Sequence, residues 1–549
     1  MERWRHSGLL TRGGESMPFV GWGYLWTPSG PARIAARHPF GLRRFTAVKT
    51  LFWACVAIVV ALTIARGIFI TTIDLRVDEA YYWTWSKENA ISYLDHPPLI
   101  AWLIRLSTSV FGDTNFGVRL PGLLAMTLMQ VLLGAIVWQI LRDVRPVVAV
   151  VLMTEATLAF GLGMTRMTPD VALIPCELVM FWSLIRLAQS NDHRWWLVAG
   201  LFGGLAALAK YTAVLLVPAI VAFVLVPPWR KQQIASIHLW LALGIAISIF
   251  SPALYWNALH DWASFQFQLD RPVQGTGWTV KFLFDFVGEQ FVLIGVLLLP
   301  IVTGCTVMFA HRGYRERDPI PILLSTATLF PLVFLAWHGL SARVGDSWSL
   351  FIWPMGFACA SISVATSKLS PMSLWARTGP LLMVIAIASG VVFVATAQVY
   401  YIWGTANYLR TNDPIGKEAG FSDVAVATDA ARKAIGAGWI ATTDYRLYAV
   451  LKWHLRNAAS SVVQVNERRR YIGFAEPALD GSIGLYVASG GDPDAAIMAT
   501  TSAVLQPVGG IELTWRGTSY DRYRFQKLTN WTPVLSPPPN DPFERAHPH

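Results

Sequence analysis

The fold of this chain is restricted above all by a series of long apolar segments that short polar loops separate. Hydrophobic residues make up 54% of its 549 residues and charged residues 14%, whereas an ordinary soluble domain carries about 25% charged residues. Because a helix needs roughly 20 apolar residues to cross a bilayer, the pattern predicts a polytopic α-helical membrane protein with about eleven spans. The predicted spans are Leu51–Ile73, Val118–Leu141, Pro146–Gly163, Val171–Leu187, Trp195–Ala209, Thr212–Val226, Ile237–Tyr255, Phe282–Ala310, Ile320–Trp337, Leu350–Ala365 and Gly379–Val399.

The apolar run between Trp195 and Val226 is too long for one span. About thirty helical residues would cover roughly 45 Å, well over the thickness of the bilayer core. Lys210 lies in the middle of the run and predicts a break there. We therefore expect two short helices that meet at the outer face.

The distribution of positive charge predicts the orientation of the helices. The net charge of +10 is concentrated in the N-terminal tail, residues 1–49, and in short loops. This placement is typical of cytoplasmic loops and argues against a nucleic-acid partner. With the N-terminus inside, an odd number of spans places the C-terminus outside. We therefore expect a multi-pass protein of the bacterial inner (plasma) membrane whose first loop, residues 74–119, is extracytoplasmic.

From about Tyr400 the composition becomes polar and nearly charge-balanced. Residues 50–399 are predicted to form the membrane domain, residues 400–535 a small extracytoplasmic α/β domain, and residues 536–549 a disordered Pro-rich tail. The predicted helices are Ser422–Ile435 and Tyr445–Arg456, and the predicted strands are Trp439–Thr442, Ile483–Val487, Ile511–Trp515 and Tyr520–Gln526. All four cysteines lie in apolar runs, so neither a disulfide framework nor a metal site is predicted, and no cofactor is expected.

The first external loop carries two acidic clusters. Asp78 and Glu79 precede an aromatic run, and Asp95 and His96 precede two prolines. Asp78 fits a helix N-cap, because Asp is favoured there, or a general base that takes the proton of an attacking hydroxyl. Asp95 fits a cap of the helix that follows, and His96 fits a cation that meets a phosphate. That helix is predicted to lie in the membrane interface, with an apolar stripe formed by Leu99, Trp102, Leu103, Leu106 and Val110.

Several other residues are predicted at or near the outer face. Asp170 follows a Thr-Pro pair, which is typical of a helix start with Thr as the N-cap and Pro at the first helical position. Lys210 and Arg343 are basic residues on the side that the positive-inside bias disfavours, so each is a candidate for binding a phosphate, with snorkelling as the alternative. Arg66, late in the first span, has the same two interpretations. Tyr82 belongs either to an interfacial aromatic belt or to a platform for a sugar.

Six motifs occur in an order that resembles bacterial glycosyltransferase family 39. They are DEAYYW, YLDHPPLIAWL, FGVRLP, TPD, a WW…AKYTA segment and YWNALHDWASFQFQ, and the resemblance covers roughly Leu51 to Val399. Relatives of this family are the protein O-mannosyltransferases and the lipid A aminoarabinose transferase. All share the GT-C fold and use a sugar linked to a polyprenyl phosphate.

The resemblance implies an enzyme that moves a sugar from a polyprenyl-phosphate carrier to a lipid, glycan or protein acceptor of the cell envelope. The residues implied to be catalytic are Asp78, Glu79, Asp95 and Asp170. Those implied to bind substrates are Tyr82, His96, Arg119, Lys210 and Arg343. In the aminoarabinose transferases a lysine that meets the lipid phosphate stands where this chain has His96. The implied mechanism has Asp78 deprotonate the acceptor hydroxyl, which attacks the anomeric carbon as polyprenyl phosphate leaves.

Two other functional classes remain open at this point. A transporter or flippase of a lipid-linked or anionic solute would place charges at mid-bilayer and often carry an internal repeat. The charges of this chain gather instead at one face, and no repeat is evident. A membrane sensor with a ligand-binding soluble domain would leave the large first external loop unexplained.

Overall fold

A computed structural model describes most of the chain. It covers residues 42–227, 229–273, 278–345, 347–367, 374–404, 407–413, 415–458, 461–465, 479, 483–490 and 503–531. Most of the predicted basic tail and the whole predicted Pro-rich tail lie outside the described residues.

The described chain is mostly helical. Its α-helices are α1 (Leu42–Thr72), α2 (Val77–Ser86), α3 (Leu99–Phe111), α4 (Asn115–Leu141), α5 (Val144–Glu155), α6 (Leu158–Gly161), α7 (Asp170–Ser190), α8 (Trp195–Ala209), α9 (Val217–Val224), α10 (Arg230–Ala235), α11 (Ile237–Leu259), α12 (Ala263–Val273), α13 (Lys281–Ile294), α14 (Leu298–Glu316), α15 (Pro319–His338), α16 (Trp353–Ser367), α17 (Leu374–Trp403), α18 (Phe421–Ala434) and α19 (Tyr445–His454). Short 3-10 helices connect several of them, including Gly163–Thr165 and Tyr211–Leu216.

Among the described residues, six helices are long and apolar enough to cross a membrane: α1, α4, α7, α11, α15 and α17. Two bent pairs, α5 with α6 and α13 with α14, raise the number to eight if each pair is one span. Three shorter apolar helical segments occupy the remaining predicted spans: α8, Tyr211–Val224 and Leu350–Thr366. The predicted apolar segments are therefore all helical, while the number that cross the bilayer stays a prediction.

The predicted break at Lys210 is confirmed. α8 ends at Ala209, and Lys210 has an extended backbone (φ −156°, ψ 135°) before the 3-10 helix Tyr211–Leu216. An α-helix resumes only at α9, which has a proline in its first turn. The charged residue at this junction is buried, so its backbone ends one helix while its side chain enters the protein interior.

The predicted interfacial helix is α3, but its orientation differs from the simplest amphipathic pattern. Ser107 and Thr108, which lie outside the predicted apolar stripe, are buried against the protein together with Ile104. Leu106 and Val110, from the predicted apolar stripe, are exposed. Apolar side chains on the outside of a helix are stable where lipid covers them, which agrees with a helix at the membrane interface.

The C-terminal segment forms one mixed sheet. Its strands are β1 (Trp439–Thr442), β2 (Ser461–Gln464), β3 (Gly484–Ser489), β4 (Val504–Trp515) and β5 (Thr518–Thr529), in the order β2-β1-β3-β5-β4. β1 is parallel to both β2 and β3, and β5 is antiparallel to β3 and β4. The sequence predicts all of these strands except β2.

Candidate active site

Four residues separate α1 from α2, which carries the acidic pair in its first turn. Arg76 precedes the helix with an extended backbone, and its N–H donates to Oε2 of Glu79 at 3.0 Å. Glu79 thus satisfies an N–H group at the helix start that no helical carbonyl reaches. The capping interpretation of Asp78 is wrong, because the carboxylate that caps α2 belongs to Glu79.

Glu79 is fully buried and holds several segments together. Arg119 of α4 donates to both of its oxygens, from Nε to Oε1 at 2.7 Å and from Nη2 to Oε2 at 2.6 Å. The backbone N–H of Met167 donates to Oε1 at 2.9 Å. The other N–H groups of Arg119 donate to the carbonyls of Ile70, Ile73 and Asp74. All five N–H donors of this guanidinium are therefore used within the protein.

The electrostatics of Glu79 follow from these contacts. Burial alone would raise the pKa of Glu79, but the Arg119 guanidinium and the hydrogen bonds from Arg119, Arg76 and Met167 hold it below its usual value. Glu79 is therefore a carboxylate at neutral pH, and its charge is neutralised by Arg119. We call Glu79, Arg119 and their hydrogen-bond partners the Glu79 cluster.

Asp78 is the neighbour of Glu79 but has a different environment. Its side chain is exposed, and no hydrogen bond or ion pair to it is found in the part of the chain that the structure describes. Protein nevertheless encloses it on several sides, and this partial loss of water raises the pKa of Asp78, as does the charge of Glu418. The guanidinium groups of Arg76 and Arg166 act in the opposite direction. A carboxylate that is accessible, unpaired and more basic than usual has the properties of a general base.

The C-terminal segment packs directly on α2. The ring of Trp453 in α19 meets the ring of Trp83 edge-on at 5.0 Å between centroids. Arg76, just before α2, forms an ion pair with Glu418. The C-terminal segment therefore supplies part of the surroundings of Asp78 rather than standing apart from the membrane portion.

Asp95 is brought close to the same helix. It is buried, and its Oδ2 accepts a hydrogen bond from the hydroxyl of Tyr81 at 2.5 Å, while its backbone carbonyl accepts one from Gln268 at 2.7 Å. α3 begins after Pro98 without a side-chain cap, so the capping interpretation of Asp95 is also wrong. The contact with Tyr81 instead links the second acidic cluster of the loop to the first.

Tyr82 lies between these acidic groups. Its ring centroid is 6.1 Å from that of His96. Burial raises the pKa of Tyr82 well above its usual value, and the charges of Asp78 and Asp95 act in the same direction, so the hydroxyl stays protonated. Among the described residues this hydroxyl has no hydrogen-bond partner, and it is therefore a donor available to a ligand.

A second buried ion pair joins α7 to the break after α8. Nζ of Lys210 donates to Oδ2 of Asp170 at 2.7 Å and to the carbonyl of Ser347 at 3.1 Å. Oδ1 of Asp170 is buried without a hydrogen-bond partner within the described ranges, and so are both oxygens of Glu177 two turns further along α7. α7 starts without a side-chain cap, so the cap predicted from the Thr-Pro-Asp order is wrong. We call Asp170, Lys210 and Glu177 the Lys210 cluster.

The predicted phosphate-binding residues have different surroundings. Lys210 is buried in its ion pair, and His96 is half-buried beside Tyr82. Arg343 is exposed in the loop after α15, and the bond from Lys210 to Ser347 brings that loop to the Lys210 cluster. The structure thus brings the predicted acidic residues and Tyr82 near one another, while Arg343 lies at the edge of this group.

Sequence reasoning missed two charged residues beside Asp78. Glu418 lies in the C-terminal segment, where no motif indicates it. Arg166 lies in the turn before α7, four residues before Asp170, and its side chain is half-buried. A signal for Arg166 did exist, because it is a basic residue on the predicted outer side, which is the same observation that selects Lys210 and Arg343.

The helical bundle resembles a known membrane fold. The crystal structure of ArnT from Cupriavidus metallidurans bound to undecaprenyl phosphate matches with a TM-score of 0.58, over 88% of this chain and 99% of that chain, at 13% sequence identity. This likeness assigns the chain to the class of membrane proteins with the GT-C fold.

The sequence comparisons agree with the fold. Residues 95–256 match the family model described as dolichyl-phosphate-mannose-protein mannosyltransferase. The lipid A galacturonosyltransferase RgtD of Rhizobium johnstonii is 26% identical over 322 residues, which are 55% of this chain and 66% of that protein. The lipopolysaccharide core galacturonosyltransferase RgtB of the same organism is 25% identical over 357 residues, which are 63% of this chain and 71% of that protein. The chain is therefore similar to glycosyltransferases of the GT-C, family 39 type.

Proposed function

We propose that this protein moves a sugar from a polyprenyl-phosphate carrier to lipid A or another part of lipopolysaccharide at the outer face of the inner membrane. The names of the two Rhizobium relatives support the acceptor class. The ArnT structure with bound undecaprenyl phosphate supports the carrier class. The observation that carries the catalytic proposal is the contrast between Asp78, which is accessible and unpaired, and Glu79, which is buried and saturated.

In the proposed reaction, Asp78 accepts the proton of an acceptor hydroxyl. The hydroxyl oxygen forms a bond to the anomeric carbon, and the bond from that carbon to the phosphate oxygen breaks. The polyprenyl phosphate leaves with the electron pair of the broken bond. The raised pKa of Asp78 assists the first step, because a stronger base takes a proton more readily near neutral pH.

The remaining predicted residues receive roles that fit their contacts. Glu79 and Arg119 are positioning residues in this proposal, since Arg119 has no N–H group left for a substrate. Asp95 positions α2 through Tyr81, and Tyr82 donates its hydroxyl to a substrate oxygen. Lys210, whose third N–H group has no acceptor among the described residues, meets the carrier phosphate together with His96 and Arg343.

The contact between α2 and α19 supports the proposed topology. The two helices touch, so the loop 74–119 and the C-terminal segment share one side of the membrane, and an even number of spans separates them. The eleven predicted spans place ten between them. If only the six long helices crossed the membrane, five spans would separate the loop from the C-terminal segment, and with the set of eight the number would be seven. Both numbers are odd. This parity supports an extracytoplasmic C-terminal segment, and activity of a cytoplasm-only reporter fused after Tyr401 would refute it.

The catalytic proposal is tested with Asp78→Asn in purified protein, with a polyprenyl-phosphate-linked sugar and a lipid A acceptor. Asn keeps the size of Asp but cannot accept the proton, so the transfer rate should fall about 10²- to 10⁴-fold. The matched control is Glu88→Gln, an acid of the same loop whose carboxylate lies 3.8 Å from Nζ of Lys452. Wild-type transfer by Asp78→Asn would end the assignment of Asp78 as the base.

A further inference from the structure

The turn that carries Arg166 is fixed against the first turn of α2. The backbone N–H of Met167 donates to Oε1 of Glu79 at 2.9 Å, and the N–H of Arg166 donates to the carbonyl of Gly163 at 3.0 Å. The backbone of Arg166 is extended (φ −80°, ψ 138°). Arg166 directly precedes Met167, which donates this hydrogen bond, and Asp78 directly precedes Glu79, which accepts it.

Three cations near this place form ion pairs with carboxylates. Arg76 is neutralised by Glu418, Arg119 by Glu79, and Lys210 by Asp170. The guanidinium of Arg166 has no hydrogen bond or ion pair in the described part of the chain, and the same is true of the Asp78 carboxylate.

Keeping the Arg166 guanidinium charged in this place costs free energy. Burial and the nearby charge of Arg76 lower the pKa of Arg166 to about 10, so the group is still protonated at neutral pH. A half-buried guanidinium without a partner has lost part of its hydration and gained no hydrogen bond in return. A planar oxyanion would satisfy it with two parallel hydrogen bonds.

We propose that Arg166 is a specificity residue that binds an oxyanion of the donor, and we assign this oxyanion to a carboxylate on the transferred sugar. The proposal rests on the proposed glycosyl transfer. The attacking hydroxyl and the leaving phosphate lie on opposite sides of the anomeric carbon in an in-line displacement. A group fixed beside the base Asp78 is therefore on the side of the attacking hydroxyl and away from the carrier phosphate, where an anionic group of the sugar can reach it. The substrate class is an acidic sugar, such as a uronic acid, linked to polyprenyl phosphate.

The test compares two donors that differ only in this carboxylate: polyprenyl-phosphate-linked galacturonic acid and polyprenyl-phosphate-linked galactose, with lipid A as the acceptor. Arg166→Gln should lower kcat/KM for the acidic donor about 10- to 150-fold, the worth of a hydrogen bond to a charged group. At a pH above the acid limb of both proteins, where Asp78 is ionised in each, transfer from the neutral donor should stay within about threefold of wild type. Arg166→Lys should be intermediate, because Lys keeps the charge but not the planar pair of donors.

An equal loss with both donors would overturn the assignment, because it would indicate either the carrier phosphate or a structural role. No loss with the acidic donor would overturn it as well. Donor binding, measured by the rise of the unfolding temperature, keeps the proposal testable even if no transfer occurs. The acidic donor should stabilise wild type more than the neutral donor does, and this difference should vanish in Arg166→Gln. Absence of transfer with a retained binding difference would count against the proposed function alone.

Discussion

The Glu79 cluster and the Lys210 cluster each centre on a buried ion pair, yet they differ in how completely their polar groups are used. In the first, Arg119 donates five hydrogen bonds, and both oxygens of Glu79 accept. In the second, an oxygen of Asp170 and both oxygens of Glu177 have no partner in the described part of the protein. Both pairs had the same functional interpretation in the sequence.

The difference separates structural from ligand-binding charge. A buried polar group without a partner costs free energy, and proteins keep such groups where a ligand or water completes them. The saturated Glu79 cluster has nothing to offer a substrate and instead fixes α2, so that Asp78 points outward. In the proposed function, the unsaturated Lys210 cluster keeps polar atoms for a ligand. Two experiments test this division, and a third tests the electrostatics of Asp78.

The largest effect is expected when Arg119 is replaced by Met. This change leaves the buried Glu79 carboxylate without its cation and three carbonyls without their donor, so unfolding should become easier by about 3–5 kcal/mol. The measurement is the unfolding midpoint in detergent, together with transfer activity, which should be lost. Adding Glu79→Gln should not restore stability, because the carbonyls of Ile70 and Asp74 still lack the donors that Arg119 supplied. Arg105→Met, at an exposed arginine of α3, is the control. A midpoint like that of wild type in Arg119→Met would contradict the structural role.

For the ion pair between Lys210 and Asp170 we expect a smaller loss of stability than for Arg119→Met, together with weaker use of the donor. Lys210→Met alone should destabilise, since it leaves Asp170 buried and unpaired. Adding Asp170→Asn removes that charge and should recover most of the stability, because replacing both partners of a buried pair is often neutral. The double variant should still have a donor KM raised about 10- to 150-fold through loss of a charged contact to phosphate. A wild-type donor KM in the stable double variant would show that the Lys210 cluster is structural too.

The smallest effect concerns the pH dependence of transfer. Asp78 acts only when ionised, so its raised pKa places the acid limb of the rate profile above the usual value for Asp, which is about 3.9. Glu418→Gln removes a charge that raises this pKa, so the acid limb should move to lower pH. Arg76→Gln removes a charge that lowers it, so the limb should move to higher pH. Glu316→Gln, at an exposed acid of α14, should leave the profile unchanged. Shifts of the same sign in both variants would disagree with the electrostatic origin.

The structural features that could be predicted from the sequence are those that depend on residues close together in the chain. Apolar segments are recognisable by their length, and a lysine within such a segment indicates a break, so the helices and the junction at Lys210 follow directly. Long-range pairing has no such local signal. Nothing near Arg66 indicates that it forms a fully buried ion pair with Glu155 at 2.7 Å, which makes the snorkelling interpretation of Arg66 wrong. The Arg119–Glu79 pair is hidden for the same reason.

Asp78 and Glu79 show most clearly what cannot be predicted from the sequence alone. Asp78 and Glu79 are adjacent in the chain and received almost the same interpretation, but successive residues of a helix point about 100° apart. One therefore enters the interior and the other faces outward. The sequence identifies the pair as chemically important, whereas only the packing of α4 and of the turn before α7 determines which member is left open.

The ion pair between Arg76 and Glu418 joins residues that are 342 positions apart. During synthesis, Arg76 and Asp78 leave the ribosome long before Glu418 and α19 exist. The surroundings of Asp78 can therefore be completed only after nearly all the helices have been synthesised and the last segment has reached the same side of the membrane as α2. A chain that terminates early, or whose last segment does not reach that side, would lack part of these surroundings. Assembly order thereby links transfer activity to successful insertion of the whole protein.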